Sequence, residues 1–494
     1  MKHLEIERRY LLYPCSVKVF LKRYHMQYKK IPIRQFYSVA REDRVQRYRQ
    51  EGNRYLLTSK TGRGMTRVEE EKEIDKATFY SALAAHRGGI IEKDRYVVEV
   101  GEYRYEIDRF KKSLKGLNIL EIEFPDAARA RRFRIAAPFD DLVITEVTDN
   151  PAFSNAALSR TMRIPAIAHP LIELLKRVDR ENGFLKASAK VDLRPYESGA
   201  HAVKTILYRL LKSVEANRAA ILEGDDDSER LHQFRVAMRK MRALLAQMSL
   251  YFDPTWLQSR KTKLAELMRQ TGPKRDIDVY LMQIPRYRAW LSADYHEGLA
   301  EIENYLRKSA ESQNVRLQAF LRSEALKDEI GTIERFVHTE SLEGLSSAAE
   351  NPVVIDATKA LKKRYRKILK KGRAIDEEAP AADYHALRIE VKKLRYLMEF
   401  FAAILEPEAY RTLIKKLKEI QTILGEHQDL EVQRTHLKDL LKIPEITDKE
   451  TKKSIEKLRQ ILEKEEHKKR RAFREKFAMF ETTGSLFRRM ICRY

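Results

Sequence analysis

Residues 232–245 read HQFRVAMRKMRALL, and residues 385–398 read HALRIEVKKLRYLM. An offset of 153 residues aligns His232 with His385, Arg235 with Arg388, Arg239 with Lys392, Lys240 with Lys393 and Arg242 with Arg395. The same offset carries TGPKRDIDVYL (271–281) onto LGEHQDLEVQR (424–434). Gly272 then falls on Gly425, Asp276 on Asp429 and Asp278 on Glu431. One offset shared by two separated blocks marks an internal repeat. Apolar residues recur at 3.6-residue spacing from about residue 199 onward, so the C-terminal half is expected to be helical and built as two similar bundles.

At 100° per residue, His232, Arg235, Arg239 and Arg242 fall within a sector about 80° wide. Met238, Met241, Leu244, Leu245 and Met248 fall on the other side, which reads as a core face. The second repeat gives the same geometry with His385, Arg388, Lys392 and Arg395. A solvated helix face would mix signs, because like charges at i,i+3 and i,i+4 repel. A stripe of fixed cations suits a flexible polyanion. Phe234 and Tyr396 lie beside the stripes, but no aromatic platform stands on the basic sector, so recognition through the backbone phosphates fits better than base reading. Asp276, Asp278 and Asp429 are read as residues that pin the arginines or cap a helix.

Composition agrees. The 494 residues carry 97 Lys+Arg against 73 Asp+Glu, a formal net charge of +24 that favours anionic partners. Hydrophobic residues make up 43%, enough to bury real cores. Cys15 and Cys492 stand far apart in sequence, which argues against a disulfide scaffold or a cysteine zinc site and suits a reducing, cytoplasmic compartment. The start carries Glu5 and Glu7 where a secretory signal needs an apolar run, and no stretch is long and apolar enough to span a membrane.

The first 165 residues or so read as short strands, with EIERRYLL (5–12), RYLLTSK (54–60), RVEEEKEI (67–74), RYVVEV (95–100), YRYEIDRF (103–110), NILEIEF (118–124) and LVITEVT (142–148). Helices are expected at 17–30 and 77–85. Residues 166–198, with prolines at 170 and 195, read as a connector. Many short strands in series favour an antiparallel barrel or sandwich. The alternation is unusual, because it gathers charges onto shared faces: Glu5, Glu7 and Arg9; Arg47 and Arg49; Arg67, Glu69 and Glu71; Lys93 and Arg95; Glu106 and Asp108; Glu121 and Glu123. Either these are ordinary solvent faces, or they turn inward to line a wet tunnel.

Two resemblances bear on these readings. The helical repeat resembles the conserved-histidine α-helical domain, CHAD, over residues 199–490. That resemblance implies two pseudo-symmetric four-helix bundles whose basic surface binds long-chain inorganic polyphosphate. It assigns the contacts to His232, Arg235, Arg239, Lys240, Arg242, His385, Arg388, Lys392, Lys393 and Arg395.

The strand segments, taken in order, resemble the CYTH or triphosphate tunnel metalloenzyme family over residues 1–165. EIERRYLL is similar to its opening E-x-E-x-K signature. Arg47-Tyr48-Arg49, Thr58-Ser59-Lys60, Arg67 with Glu69 and Glu71, Lys93-Asp94-Arg95, Glu106-Ile107-Asp108 and Leu120-Glu121-Ile122-Glu123 follow. The implied fold is an eight-stranded antiparallel β-barrel, so the whole chain is expected to be multidomain α+β. The resemblance implies that Glu5, Glu7, Glu121 and Glu123, assisted by Asp108, hold Mg²⁺ or Mn²⁺. Arg9, Arg47, Arg49, Lys60, Arg67, Lys93 and Arg95 then grip the phosphates, and water hydrolyses the phosphoanhydride without a protein nucleophile. Arg9 stands where the signature has Lys, and a planar fork there favours holding a chain over cutting it.

The resulting expectation is a metal-dependent inorganic triphosphatase acting on tripolyphosphate, fused to a polyphosphate-binding domain. The alternative is a non-catalytic polyphosphate-binding protein at polyphosphate granules. A nucleotide enzyme of the tunnel family ranks third, and a nucleic-acid partner ranks lower still.

Overall fold

The computed structural model describes residues 6–40, 44–61, 68–225, 227–376, 378–441 and 449–492. Nine strands form one antiparallel sheet: β1 (Ile6–Leu12), β2 (Lys29–Ala40), β3 (Arg44–Glu51), β4 (Arg54–Thr61), β5 (Val68–Glu73), β6 (Ile91–Val100), β7 (Tyr103–Phe110), β8 (Asn118–Phe124) and β9 (Val143–Glu146). Their order is β5-β4-β3-β2-β6-β7-β8-β1-β9. There are thus nine strands where eight are expected, and among the described residues no pairing joins β5 to β9.

The expected first helix is shorter than its pattern suggests. α1 (Val17–Arg23) stops after seven residues, and His25 turns the chain with a positive φ of 53°. The residues that follow become β2, a strand in the middle of the sheet. Three further short helices, α2 (Lys76–Ala85), α3 (Ala127–Arg132) and α4 (Asn155–Thr161), complete this half. Asp75, Asp126 and Ser154 cap them by accepting from backbone N–H groups of the first turn.

The connector is structured. Its helix α5 (Leu171–Asp179) buries Leu171, Leu174, Leu175 and Val178, an amphipathic set at i, i+3, i+4 and i+7. Tyr208 and Arg209 bind it through Asp179 at 2.7 Å and Glu181 at 2.5 Å.

Eleven helices follow: α6 (Gly199–Leu222), α7 (Ser228–Gln247), α8 (Pro254–Gln270), α9 (Gly272–Trp290), α10 (His296–Arg322), α11 (Glu324–His338), α12 (Val353–Arg373), α13 (Ala381–Phe400), α14 (Pro407–Leu440), α15 (Lys449–Glu481) and α16 (Gly484–Cys492). Adding 153 to the bounds of α7 gives those of α13. One difference has a clear cause. Where α14 runs unbroken through Gly425, the first repeat splits into α8 and α9 at Thr271-Gly272-Pro273, because proline supplies no N–H to continue the ladder.

Homologous residues of the two repeats touch each other. Tyr280 donates its hydroxyl to the carbonyl of Gln433 at 3.3 Å. A Cβ on Gly298 would stand 2.8 Å from the Cα of Thr451. Each pair is separated by 153 residues, and a residue meets its own counterpart only on a two-fold axis. The repeats are therefore related by a pseudo-two-fold.

The bundle arrangement is richer than expected. Proximal cores gather α6, α7, α8 and α11 in one repeat, and α12, α13, the first half of α14 and α16 in the other. The distal halves form a separate core shared by both repeats. It contains Tyr280, Ile284 and Tyr287 of α9, Leu299 and Ile302 of α10, Leu430 and Leu437 of α14, and Ile455 and Leu458 of α15. Gly116, at φ +114° in the β7–β8 turn, lies against Ile355 of α12, where an added Cβ would come within 2.9 Å. No helix among the described residues is long and apolar enough to cross a membrane.

Candidate functional site

Strand register places the charges. Arg9 pairs with Glu121 and Glu7 with Glu123 across β1 and β8. Glu106 pairs with Glu121 across β7 and β8, and Arg95 pairs with Asp108 across β6 and β7. Gln35 and Tyr37 of β2 pair with Arg49 and Arg47 of β3, and Arg47 pairs with Thr58, which pairs with Glu71. Directly opposed residues share a face, so all of these stand on one side of the sheet. The other side carries Tyr10, Phe36, Tyr96, Val98, Tyr105, Ile107, Leu120 and Ile122, all buried. Phe79 of α2 covers Phe36 at 5.5 Å between ring centroids. The middle of the charged side is enclosed as well, with Lys93 and Asp108 0% exposed and Arg47, Arg95 and Glu106 buried, while Glu123 stays exposed and Glu7 half-buried. The solvent-face reading is thereby set aside for the middle of the face.

Arg95 is the hub of this face. Its Nε donates to Asp108 Oδ1 at 2.8 Å and its Nη2 to Asp108 Oδ2 at 2.7 Å. Nη2 also reaches Glu121 at 2.5 Å, and Nη1 pairs with Glu106, a residue absent from the expected set. Lys93 pairs with Asp108, and its Nζ lies 3.3 Å from Asn155 Oδ1 of α4. Burial alone would push the Asp108 carboxyl up, but Arg95 and Lys93 hold it well below the usual carboxylate range. Asp108 was expected to assist the metal. Instead both its oxygens are engaged by buried cations, so it serves as their counter-charge.

Arg47 donates to Thr58 Oγ1 at 3.1 Å. Burial lowers Arg49 to about 10, and the neighbouring Arg47 and Arg95 add to the effect. Arg47 and Arg49 of β3 thus bring two largely buried guanidinium groups beside Arg95, whose own charge is balanced by carboxylates. At the opposite end of the face, Glu7 and Glu123 oppose each other, with Glu121 two residues along β8. Glu5 and Arg67 lie outside the described residues, as does the side chain of Lys60. Arg9 is held from two sides: its Nη2 donates to the carbonyl of Thr148 at 2.9 Å, and its Nε lies 3.5 Å from Glu7.

The helical site lies where α7 packs on α13. This packing merges the two basic stripes into one cleft, with Arg239 in electrostatic reach of Arg388 and Lys392. The cleft keeps the pseudo-symmetry of the fold. His232 Nδ1 accepts from Arg275 Nη2 at 3.1 Å, and at the equivalent place His385 pairs with Gln428. Arg242 approaches Met268 Sδ at 3.8 Å, and Arg395 donates to the equivalent Gln421 at 2.5 Å. Arg235 donates to Thr271 Oγ1 at 2.5 Å and feels the charge of Asp276, as Arg388, 4.0 Å away, feels that of Asp429. Asp276 and Asp429 thus stand beside the stripes, whereas Asp278 is paired with Lys274 inside α9.

Lys240 and Lys393 do not join the cleft. Each lies one residue, hence 100°, beyond Arg239 or Lys392. Lys240 is buried, donating to the carbonyl of Ala187 at 2.7 Å and pairing with Glu399 at 2.9 Å. Lys393 pairs with Glu390 at 3.1 Å. Arg275 is a cleft cation that the stripe pattern misses, because it comes from α9 rather than from α7. Burial and the adjacent Arg275 lower His232, so its ring is neutral near pH 7.

Comparison with known proteins agrees with both halves. The CHAD domain family matches residues 205–438. An inorganic triphosphatase of Nitrosomonas europaea is 32% identical over 131 residues, which cover 26% of this chain and 84% of that protein. The chain is a CYTH–CHAD fusion. The crystal structure of the CHAD domain from the plant Ricinus communis matches with a TM-score of 0.50 and 23% identity, covering 59% of this chain and 96% of that one. The structure of the inorganic triphosphatase NE1496 is 27% identical and covers 33% of this CYTH–CHAD chain and 97% of that one, with a TM-score of 0.25.

Proposed function

We propose that the CYTH half hydrolyses inorganic tripolyphosphate with a divalent metal, and that the CHAD half binds longer polyphosphate. The observation that carries the first part is the gathering of cations and carboxylates on one face of the sheet, with Arg47 and Arg49 on β3, Arg95 on β6, and Glu7, Glu121 and Glu123 on β1 and β8. The N. europaea relative's activity supports it.

Among the described residues no group of three acidic or histidine side chains is gathered for a metal, so an ion would rest on the Glu7–Glu123 pair together with substrate oxygens. Glu7 and Glu123 offer two opposed carboxylates, and Glu121 stands beside them. Mg²⁺ and Mn²⁺ accept such oxygen donors while keeping waters and bridging to phosphates. When bound, the ion supplies charge neutralisation and makes water a better nucleophile. The chain's own residues do the rest. Arg47, Arg49 and Arg95 bind the phosphate oxygens in a setting where their positive charge is poorly screened. Asp108 fixes the orientation of Arg95 and Lys93, so the grip is formed before substrate arrives. Burial of Lys93, Arg95 and Asp108 limits solvent at the middle of the face. Phosphate release from tripolyphosphate by the purified chain, with Mg²⁺, Mn²⁺ or chelator, tests this; release that persists in chelator would overturn it.

The polyphosphate reading rests on symmetry. A pseudo-two-fold cleft presents the same stripe in both directions, and a linear polyphosphate reads the same from either end, whereas a single nucleic-acid strand has a direction. Binding should be steeply salt-dependent through counterion release. Fluorescence anisotropy with labelled polyphosphate, competed by RNA, is the test. RNA that displaces polyphosphate at equal phosphate concentration would overturn the reading.

A second reading, binding without turnover, is favoured by Arg9. Its guanidinium lies beside Glu7 and so competes with a metal for that carboxylate. Absence of phosphate release in wild type together with its appearance in Arg9→Lys would establish it.

A further inference from the structure

Arg239 and Lys392 are equivalent by the repeat, face each other across the pseudo-two-fold, and differ in chemistry. Neither makes a hydrogen bond or ion pair among the described residues. Lys392 is half-buried between Arg388 and Arg395 of its own helix and Arg239 of α7, with the carboxylate of Asp429 near it. An ammonium group in that company is disfavoured. Burial first, then Arg388 and Arg239, lower it to about 8, so about a tenth of the amine is neutral at pH 7. An anion attracted to the cleft is delivered to a nucleophilic nitrogen.

We infer that Lys392 is an acylation site for small acyl phosphates, whose phosphate the surrounding arginines hold while the acyl carbon meets the lysine nitrogen. This deepens, and rests on, the polyanion-binding reading of the same cleft. The Nζ lone pair attacks the acyl carbon. The bond from that carbon to the bridging oxygen breaks, inorganic phosphate leaves with the electron pair, and the nitrogen loses one proton to water. The product is an amide without charge at the centre of the cleft, so modification weakens polyphosphate binding. The asymmetry of the axis pair gains a purpose: Arg239 grips and cannot be acylated under these conditions, whereas Lys392 both grips and reports the supply of activated acyl groups.

The experiment treats the full chain with acetyl phosphate at pH 7.5 and follows each lysine by mass spectrometry, beside an untreated control. Lys392 is expected to be acetylated at least roughly tenfold faster than the exposed Lys363 and Lys367 of α12, which have Arg364 and Arg366 beside them but are not buried. Saturating polyphosphate should suppress the reaction at Lys392 alone. Arg239→Gln should slow it there and leave Lys363 unchanged. Acetylation of Lys392 no faster than that of Lys363 would overturn the inference. Selective acetylation that leaves polyphosphate affinity unchanged would overturn its regulatory part. If untreated protein fails to bind polyphosphate, the cleft reading itself fails, and that result is seen before any acetyl phosphate is added.

Discussion

Arg239 and Lys392 stand at equivalent positions of the two repeats and face each other across the pseudo-two-fold where α7 meets α13. Lys392 titrates near 8, against about 10.4 for an exposed lysine. The sign follows from the folded value being the lower one. Below about pH 8 the folded protein carries the charge at full cost. Between about 8 and 10 the folded form has released the proton while the unfolded form has not, so stability rises across that window. Lys392→Met should therefore stabilise the free protein at pH 7 by roughly 1–3 kcal/mol, with the gain fading by about pH 10. It should also weaken polyphosphate binding and reduce the salt slope by about 1. Chemical denaturation at both pH values and salt-titrated anisotropy check the two halves.

Arg49 leads to a second expectation. It is lowered to about 10 by burial first and then by Arg47 and Arg95, so the charge on this one guanidinium is disfavoured until an anion arrives. Tripolyphosphate with chelator present should raise the unfolding temperature. A ligand at one hundred times its Kd contributes about 2.7 kcal/mol. Arg49→Met should lose most of that increment without lowering the stability of the free protein. Differential scanning fluorimetry with and without tripolyphosphate measures both.

Much of this could be read in the chain because repetition carries information that a single segment lacks. The 153-residue offset fixes α7 and α13 together, and Pro273 marks the break between α8 and α9. The shared distal core could not be read the same way. Tyr280 and Leu430 each show a helical period, but a period says which face is apolar and not which helix will cover it. β2 was hidden for a different reason. Residues 17–30 continue a plausible helical pattern, and only the left-handed turn at His25 ends it.

Within the sites, alternation grouped the charges correctly, and strand pairing supplied the direction they face. Lys240 and Lys393, expected among the polyphosphate contacts, lie 100° round the helix from Arg239 and Lys392 and are held by Glu399 and Glu390 instead. Arg275 became visible only through its tertiary contact with His232, and Glu106, grouped with Asp108 by alternation, gained its role only through its pairing with Arg95. The counter-charge role of Asp108 could not be read from spacing, because a carboxylate beside two cations in sequence order looks the same as one beside a metal.

Glu7 and Glu123 give the metal prediction. Glu7→Gln or Glu123→Gln should cut metal-dependent phosphate release by at least about a hundredfold, since positioning and charge neutralisation supply most of the acceleration in phosphoryl transfer. Tripolyphosphate binding in chelator should survive, because Arg47, Arg49 and Arg95 stand on other strands. Phosphate release beside isothermal titration separates the two effects. Equal loss of binding and turnover would show that the carboxylates hold the fold rather than the ion.

Asp108 allows the fold to be tested apart from the site. Its oxygens face Lys93 and Arg95 with no exposure to solvent. Removing one partner of a buried pair leaves an uncompensated charge, typically at a cost of about 3–5 kcal/mol. Asp108→Asn should destabilise the CYTH half by that order. Lys93→Met combined with Asp108→Leu should recover much of the loss, because well-packed apolar replacements of both partners are often neutral. The pH dependence has a definite sign. The folded pKa of Asp108 is depressed, so its contribution is complete above the unfolded value near 4 and is lost only as pH falls further toward the folded one. Wild type should therefore lose stability faster than Asp108→Asn below about pH 4, and the two should run parallel from pH 5 to 8. Urea denaturation of both proteins across that range reads the difference, and parallel curves below pH 4 would remove Asp108 from the ionised core.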